Sequence, residues 1–544
     1  MKKKLLLKQS LVALALTLNF TNLSAQTPQL FKDLYPGPSA QSSPECFFDA
    51  GPSMYFVTFD LNYVRKLWKT DGTPVNTVMV KDSLITTNIG QPVNVRGVIN
   101  GFAYYTVELN GGTGSSTSTG LWKTDGTLAN TTLIKTLTHT NGTGNGGGSP
   151  SNYTVVGNKL LWSMDSGNGR ELWVSDGTAA GTNEVINLAP GTINGTIQTP
   201  GVEDKPMIAF NGKLYFSGQT ASSGNWELYS SDGTSAGTIL AKEINPSLTL
   251  ASSPDNFKIY NSELYILADD GSTSSSNGLW KTNGTIYSKV FQNFLTIKPL
   301  TIFQNKLFFS NGIALWKSDG TTAGTLLIKD SVASSITGAT PNYLMSVYNK
   351  YIPTPPYNKA YYYKSDGTAA GTAPVSWNVG NSASFDVIGN NMYISKLDSG
   401  SWTNSGLWQS DGTNAGTTKL TTYGTYGFKI YNNSLYFQHY DTPTGTELWS
   451  LSPSAPAGIN QFTRADATLI YPNPAKDNLT VKLSSVPTSG TKINFMDITG
   501  RKIKEMDLNS EINLIDISVF HSGIYFYSIS NNSRISSTGK FIKE

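Results

Sequence analysis

The sequence has few of the residues from which metal sites and disulfides are made. Its 544 residues include one cysteine, Cys46, and three histidines that lie far apart, at 139, 439 and 521. A single cysteine excludes an intramolecular disulfide, and no Cys/His cluster is present that could hold zinc. We therefore predict no metal site and no cofactor.

Charged residues are also scarce, at 14% of the chain, which excludes a coiled coil. The formal net charge is +3, from 40 basic and 37 acidic residues, but four of the lysines lie within the first eight positions. The remainder is close to neutral and contains no basic run. The composition therefore gives no indication of binding to nucleic acid or to an anionic membrane.

No stretch of the chain approaches the roughly 20 apolar residues of a transmembrane helix. A shorter apolar run, Leu11 to Leu18, follows a lysine-rich start and precedes the small residues Ser24 and Ala25. This order is typical of a secretory signal peptide, which we place at residues 1–25. We expect an exported protein with no membrane-spanning segment, and the lack of a cysteine after the cleavage site argues against a lipoprotein.

What the sequence does have is glycine, 52 residues, and aromatic side chains, 11% of the total. Both belong to a repeated string, Leu-Trp-x-(Ser/Thr)-Asp-Gly-Thr, whose copies lie 36 to 56 residues apart. Periods of this length indicate a solenoid or a propeller. The aromatic positions are Trp68, Trp122, Trp173, Tyr229, Trp280, Trp316, Tyr363, Trp408 and Trp449, and the turn aspartates are Asp71, Asp125, Asp176, Asp232, Asp319, Asp366 and Asp411.

Each period contains four short strand signals joined by turns. In the third copy these lie at 153–156, 159–164, 171–175 and 183–188, with no helical pattern between them. A repeated four-stranded meander predicts an all-β, multi-bladed β-propeller over residues 26–452. Nine repeat units can be counted, and eight blades remain an alternative because the unit around 343–363 is irregular.

The two ends of the array complement each other. Residues 29–34 resemble the strand that follows each Asp-Gly-Thr turn, whereas the last unit stops at Trp449 without that strand. We predict that the N-terminal strand completes the final blade and removes two unpaired sheet edges.

The motif residues are interpreted as structural. A calcium loop needs several oxygen ligands at close spacing, and each copy offers one aspartate, replaced once by Asn283. The aspartate is expected to accept hydrogen bonds from the backbone two residues further on, the glycine to supply a positive φ, and the aromatic residue to pack between blades.

These copies resemble the ELWxxDGT repeat family of large exported Bacteroidetes proteins, and residues 171–178 match its pattern in full. The leading glutamate is kept at Glu171, Glu227 and Glu447, but other residues replace it in the remaining units. The resemblance implies architecture and carries no activity.

After a Pro/Ser/Ala-rich linker at 453–468, residues 469–544 contain short alternating strands that suit a small Ig-like β-sandwich. Three motifs in this segment resemble the C-terminal sorting domain of type IX secretion cargo. That family implies a partner, the type IX secretion machinery, and a location at the cell surface or outside the cell. The motif residues include Tyr471, Pro472, Asn473, Pro474, Gly500, Gly523 and Tyr525.

Three function hypotheses remain open. No nucleophile elbow, zinc-protease motif or phosphate loop is present, which favours a non-catalytic binding or adhesion protein whose ligand is a surface glycan or protein. Three tryptophans outside the repeat, Trp226, Trp377 and Trp402, are its candidate ligand-binding residues. The alternatives are an enzyme that degrades polysaccharide or protein on a propeller face, and a structural component of a surface layer.

Overall fold

The computed structural model describes residues 27–36, 41–50, 52–59, 64–82, 94–110, 116–140, 148–196, 207–221, 224–247, 251–272, 277–294, 300–351, 358–375, 383–396, 406–413, 415–423, 425–441, 444–452, 469–483, 487, 490–497, 501–531 and 534–544. All regular secondary structure in these ranges is β-strand. The chain divides into two compact units between Pro453 and Ser454. The predicted signal peptide and linker lie outside the described residues.

In the described part of the first unit, nine antiparallel sheets have four strands each. The chain opens with β1 (Gln29–Lys32). Sheet 1 then contains β2 (Glu45–Ala50), β3 (Ser53–Phe59), β4 (Arg65–Thr70) and β5 (Val78–Lys81). Sheet 2 contains β6 (Asn94–Ile99), β7 (Phe102–Asn110), β8 (Ser116–Thr124) and β9 (Thr132–Thr140). Sheet 3 contains β10 (Ser151–Val156), β11 (Lys159–Asp165), β12 (Arg170–Ser175) and β13 (Asn183–Ile186).

The next three sheets repeat this order. Sheet 4 contains β14 (Met207–Phe210), β15 (Lys213–Gly218), β16 (Glu227–Ser231) and β17 (Ile239–Lys242). Sheet 5 contains β18 (Asp255–Tyr260), β19 (Glu263–Asp269), β20 (Asn277–Thr282) and β21 (Tyr287–Phe294). Sheet 6 contains β22 (Thr301–Phe303), β23 (Lys306–Ser310), β24 (Leu315–Ser318) and β25 (Leu326–Lys329).

The irregular unit around 343–363 also forms a four-stranded sheet. This sheet 7 contains β26 (Ser335–Ala339), β27 (Leu344–Tyr351), β28 (Asn358–Ser365) and β29 (Ala373–Val375). Sheet 8 contains β30 (Ala383–Ile388), β31 (Asn391–Lys396), β32 (Gly406–Ser410) and β33 (Thr417–Lys419). Sheet 9 contains β34 (Thr425–Tyr431), β35 (Ser434–Asp441), β36 (Gly445–Leu451) and, as its fourth strand, β1.

The pairing of β1 with β36 confirms the predicted closure. The register places Gln29 opposite Ser450 and Leu30 opposite Trp449. The first strand of the chain thus supplies the outer strand that the last repeat lacks, and it covers an edge that would otherwise expose unpaired backbone groups.

Alternation along the strands produces apolar contacts on both faces of each sheet. Leu67 on β4 faces sheet 2 and is fully buried, whereas its neighbour Trp68 faces sheet 9. Among the described residues, nine hydrophobic clusters each join one sheet to the next, and the last of them joins sheet 9 to sheet 1. The sheets therefore follow one another in a propeller-like arrangement.

The second unit consists of two packed sheets. One contains β37 (Leu469–Tyr471), β38 (Asn478–Lys482) and β41 (Ile512–Asp516) in this order, and the other contains β40 (Lys502–Asp507), β39 (Thr491–Met496), β42 (Gly523–Asn531) and β43 (Arg534–Lys543). Leu479 and Ile515 from the first sheet share a core with Phe495 and Phe541 from the second. Burial of these apolar faces against each other holds the sandwich together.

Candidate functional sites

Each Asp-Gly-Thr turn is closed by side chains of the motif itself. In sheet 3, Asp176 Oδ1 accepts hydrogen bonds from the Thr178 backbone N–H at 2.9 Å and from the Thr178 hydroxyl at 2.7 Å. Gly177 has a φ of 89°. Behind the turn, the Ser175 hydroxyl lies 2.7 Å from the hydroxyl of Thr182. The turn aspartate therefore stabilises the connection between the third and fourth strands.

Two residue types, asparagine and glycine, occur five positions after the turn aspartate. In sheet 1 the residue is Asn76, whose amide donates to Asp71 Oδ2 at 2.6 Å. In sheet 3 it is Gly181, and a Cβ at that position would collide with the Asp176 carboxylate. Hydrogen bonding lowers the pKa of Asp71 and of Asp176, so both carboxylates stay ionised. Among the described residues, no group of three or more His, Cys, Asp or Glu side chains could hold a metal ion.

Lysines connect several of the turns to the neighbouring sheet. The motif lysine Lys123 of sheet 2 donates to the Gly177 carbonyl of sheet 3 at 2.9 Å, and Lys317 of sheet 6 reaches the Gly367 carbonyl of sheet 7 at 3.1 Å. A second lysine, at the end of the fourth strand, does the same: Lys329 donates to the Thr372 carbonyl at 2.6 Å. These contacts fill the seams between sheets, and the sequence analysis did not foresee them.

The structure places the motif aromatic residues at the edges of the clusters between sheets. Trp68 stacks on Phe56 of its own sheet at 6.3 Å between ring centroids and is half-buried, as are the other motif tryptophans. The motif leucines, such as Leu67 and Leu121, are fully buried instead. The leucine therefore fills the seam more deeply than the tryptophan that the sequence analysis emphasised.

The leading glutamates hold the links between sheets. Glu171 is fully buried, and its carboxylate accepts hydrogen bonds from the backbone N–H groups of Leu188 at 2.9 Å and Gly195 at 3.1 Å. Glu447 accepts from the N–H groups of Leu34 at 3.0 Å and Ser42 at 3.1 Å. Burial raises the pKa of each to about 7, although the backbone donors act in the opposite direction. Both glutamates are thus structural.

In an antiparallel meander, alternate loops lie at opposite ends of the strands. The Asp-Gly-Thr turns and the hairpins between first and second strands share one end of each sheet, which we call the turn end. The loops between second and third strands share the other, the connection end, with the links between sheets. The leading glutamates lie at the connection end.

The candidate ligand-binding tryptophans fall largely outside the described residues. Trp377 and Trp402 are not among the residues that the structure describes. Trp226 lies at the connection end of sheet 4 and is half-buried. Its carbonyl accepts hydrogen bonds from the backbone N–H groups of Ser252 and Ser253, both at 3.0 Å. The backbone of Trp226 is thereby fixed, and its indole is partly accessible.

Three exposed tyrosines lie at the connection end of sheet 9. Tyr423 and Tyr440 pack edge to face with ring centroids 5.5 Å apart, and Tyr426 lies on β34, paired with Gln438. Because Gln438 and Tyr440 are two residues apart on β35, Tyr426 and Tyr440 share a face. Their exposures are 37%, 40% and 41% for Tyr423, Tyr426 and Tyr440. Sequence analysis missed this tyrosine cluster, because only the strand register brings its members together.

A buried cluster of polar side chains between sheets 2 and 3 contains residue types that also occur in catalytic sites. His139 Nε2 lies 3.0 Å from the Thr119 hydroxyl, and Thr140 donates to Asp165 at 2.7 Å. His139 is 1% exposed, and burial lowers its pKa. Arg170 donates to the Ser163 carbonyl at 3.0 Å nearby. A substrate has no access to a histidine buried in this way, so the group is better suited to packing.

In the second unit, the sorting motifs are partly on the surface. Tyr471, Pro472, Asn473 and Pro474 are exposed, and Asn473 Oδ1 accepts a hydrogen bond from the Ile542 N–H at 2.9 Å. Gly523 begins β42, and Tyr525 is buried, with its hydroxyl donating to the His521 carbonyl at 2.9 Å. Gly500 lies outside the described residues. The first motif is thus attached to the last strand of the sandwich.

Residues 469–544 match the family model of the secretion system C-terminal sorting domain. This match indicates export through the type IX system, interaction with that machinery, and attachment to or release from the cell surface. Among the described residues, no helix has the length and apolar character needed to cross a membrane.

No curated protein matches the chain. Among solved structures, the chain is similar to PorZ, a surface component of the type IX secretion system of Porphyromonas gingivalis, with 11% identity, a TM-score of 0.20 and coverage of 95% of this chain and 99% of that one. It is also similar to the β-propeller domain of the Trilobed protease from Pyrococcus furiosus, with 9% identity, a TM-score of 0.32 and coverage of 68% and 97%. A third is AztD of Citrobacter koseri, with 12% identity, a TM-score of 0.34 and coverage of 71% and 98%.

Proposed function

We propose that this protein is a non-catalytic binding or adhesion protein, exported by the type IX system, whose first unit is a closed nine-bladed propeller of ELWxxDGT repeats. The nine sheets, the contact between sheet 9 and sheet 1, and the pairing of β1 with β36 support the closed ring. An Ig-like sandwich at the C terminus would serve as its sorting domain.

The observation that carries the binding proposal is the tyrosine cluster of Tyr423, Tyr426 and Tyr440. An exposed group of amphipathic rings is costly to leave in water and suits contact with a sugar ring or with a protein surface. The repeated carboxylates, in contrast, each use one oxygen, Oδ1, to accept hydrogen bonds within their own turns. Contacts with a surface glycan or protein are therefore expected at the connection end, where the loops differ from sheet to sheet.

The test uses the full secreted protein on glycan and protein arrays, followed by affinity measurements on the ligand found. Replacing Tyr423, Tyr426 or Tyr440 by Ala should weaken binding by about 2 kcal/mol or more for a hot-spot residue. Tyr351→Ala is the matched control, because Tyr351 is 68% exposed and belongs to sheet 7. Unchanged affinity in all three cluster variants would refute the assignment.

The same preparation distinguishes the alternatives. Release of soluble sugars from polysaccharide, or of peptides from casein, would support the enzyme hypothesis and contradict ours. Loss of an ordered surface layer in a deletion strain, with no ligand on either array, would support a structural role.

A further inference from the structure

The seam between sheets 7 and 8 contains a cleft of 360 Å³ at the turn end. This volume falls at the lower end of the range for small-molecule sites, about 300–1,000 Å³. Its lining includes Asn342, Tyr343, Lys364, Asp366, Pro374 and Thr413. The cleft is separate from the tyrosine cluster, because the two lie at opposite ends of the strands.

The cleft lies at a seam that lacks one of the lysines found at other seams. In sheet 6 the fourth strand ends with Lys329, which crosses the seam to the Thr372 carbonyl, and in sheet 9 Lys32 makes the equivalent contact with the Thr77 carbonyl at 2.6 Å. In sheet 7 the sequence has serine at the corresponding position, 376, which is outside the described residues. The fourth strand of that sheet also carries Pro374, which has no N–H.

The polar groups of the cleft are held in place. Lys364 Nζ lies 4.2 Å from the centroid of the Tyr343 ring and donates to the Asp411 carbonyl at 2.9 Å. Tyr343 is itself 4% exposed, and its hydroxyl lies 3.3 Å from the carbonyls of both Asn390 and Ser410, which share its single hydrogen. The ammonium group therefore has a fixed position at the edge of the cleft, with donor capacity to spare.

Asp366 supplies the acceptor. Its Oδ1 accepts from the Thr368 N–H at 2.8 Å and from the Thr368 hydroxyl at 2.7 Å. Its Oδ2 accepts no hydrogen bond among the described residues, because glycine occupies position 371, where sheets 1 and 2 have an asparagine. These hydrogen bonds lower the pKa of Asp366, so the carboxylate is ionised at neutral pH.

The chemistry of the lining limits the ligand: the cleft offers one ammonium group, one carboxylate, one amide and the apolar surface of the exposed Pro374. A phosphate or another anion would meet Asp366, and a cation would meet Lys364. A purely apolar ligand would desolvate both charges without giving either a partner. A neutral molecule with several hydroxyl groups and one apolar face satisfies all of them.

We propose that this cleft is a saccharide-binding site, in which Asp366 accepts hydrogen bonds from hydroxyl groups, Lys364 and Asn342 donate to ring or hydroxyl oxygens, and the sugar ring rests on the exposed Pro374. The site is independent of the tyrosine cluster. It gives the protein a second contact on the opposite end of the sheets.

The test is saturation-transfer NMR and calorimetric titration of the full chain with the methyl glycosides of glucose, galactose and mannose, N-acetylglucosamine, maltose and cellobiose. Asp366→Asn is the central variant, because Asn283 already closes the equivalent turn of sheet 5 through its Oδ1 at 3.0 Å from the Thr285 N–H. The turn should therefore fold. Lys364→Gln is the second variant, chosen because Gln409 occupies that position in sheet 8.

We expect at least one saccharide to bind at millimolar concentration or better, and each variant to weaken it at least tenfold. Asp319→Asn, the same change in the turn of sheet 6, is the matched control and should leave binding unchanged. The proposal would be overturned if no saccharide bound, or if the variants bound the saccharide as well as the wild type. It would also be overturned if a free amino acid such as glutamine, or inorganic phosphate, bound in preference to the saccharides. None of these substitutions lies in the tyrosine cluster. Failure of the saccharide site would therefore leave the array test of the proposed function unaffected.

Discussion

Glu447 is predicted to secure the closure of the first unit. Its buried carboxylate accepts hydrogen bonds from the Leu34 N–H at 3.0 Å, the Ser42 N–H at 3.1 Å and the Ser42 hydroxyl at 2.6 Å. These donors come from the N-terminal segment, more than 400 residues away in sequence. In Glu447→Gln, one carboxylate oxygen becomes an NH₂ group that faces a backbone donor.

The stability lost in Glu447→Gln follows from the hydrogen-bond donors that are left without a partner. A buried donor without an acceptor costs about 1–3 kcal/mol, so a loss of about 2 kcal/mol is a conservative expectation. Because β1 is attached to sheet 9 by pairing and not by a hairpin, the loss should be expressed as local opening of β1. Each 1.4 kcal/mol is a factor of ten, so amide exchange in residues 29–34 should accelerate about 30-fold.

Hydrogen exchange read by mass spectrometry measures this directly. Glu227→Gln is the matched control, since Glu227 accepts from the Ile244 N–H at 2.6 Å in the same way, but β17 is joined to β16 by a turn of the chain. Exchange in 239–244 should rise less than exchange in 29–34. Equal protection of β1 in wild type and Glu447→Gln would refute the reasoning.

The closure should also depend on pH. Burial raises the folded-state pKa of Glu447 to about 7, above the usual value of 4.5. The folded state therefore holds the proton more tightly, and stability is highest below about pH 4.5 and falls as the pH rises towards 7. In Glu447→Gln the pH dependence of β1 exchange, corrected for the intrinsic rate, should flatten over this window; an unchanged slope would mean that another group titrates.

Three further predictions follow from the motif and the sorting domain. Gly324→Ala should lower the melting temperature, because its Cβ would displace the Asp319 carboxylate. Gly324→Asn introduces the same Cβ but should be better tolerated, because its amide can donate to the displaced carboxylate as Asn76 does to Asp71 in sheet 1; the reverse order would contradict the turn geometry. Removing residues 469–544 should leave a folded first unit that fails to reach the cell surface, and surface labelling of the truncated protein would refute this. Chelation should change the melting temperature little, because a lone turn aspartate cannot hold calcium; a marked fall would show that metal ligands have been missed.

The sequence predicted those features that depend on local pattern. Strand signals in the third repeat, at 153–156 and 159–164, correspond to β10 (Ser151–Val156) and β11 (Lys159–Asp165). The role of the turn aspartate also follows from local chemistry, since its partners lie two residues away. The completing strand β1 could be recognised because it repeats the residue pattern of β5 and β25.

Features that depend on distant partners could not be predicted. Most units lack the motif glutamate, and its role could not be predicted where it is present. Glu171 and Glu447 are buried acceptors for backbone N–H groups, and such donors have no sequence signature. The tyrosine cluster requires the register of β34 against β35. The motif tryptophan packs between neighbouring sheets as expected, but the greater depth of the preceding leucine depends on alternation along the strand.

In a repeat protein, a binding site needs space that the repeat does not fill. Lysines such as Lys123 and Lys329 cross the seams between sheets and occupy positions where a ligand could enter. The seam between sheets 7 and 8 lacks the second of these lysines, and a cleft lined by Lys364 and Asp366 lies there. Ligand binding by such a chain is therefore expected where a seam contact is missing, because there the space between two sheets remains open.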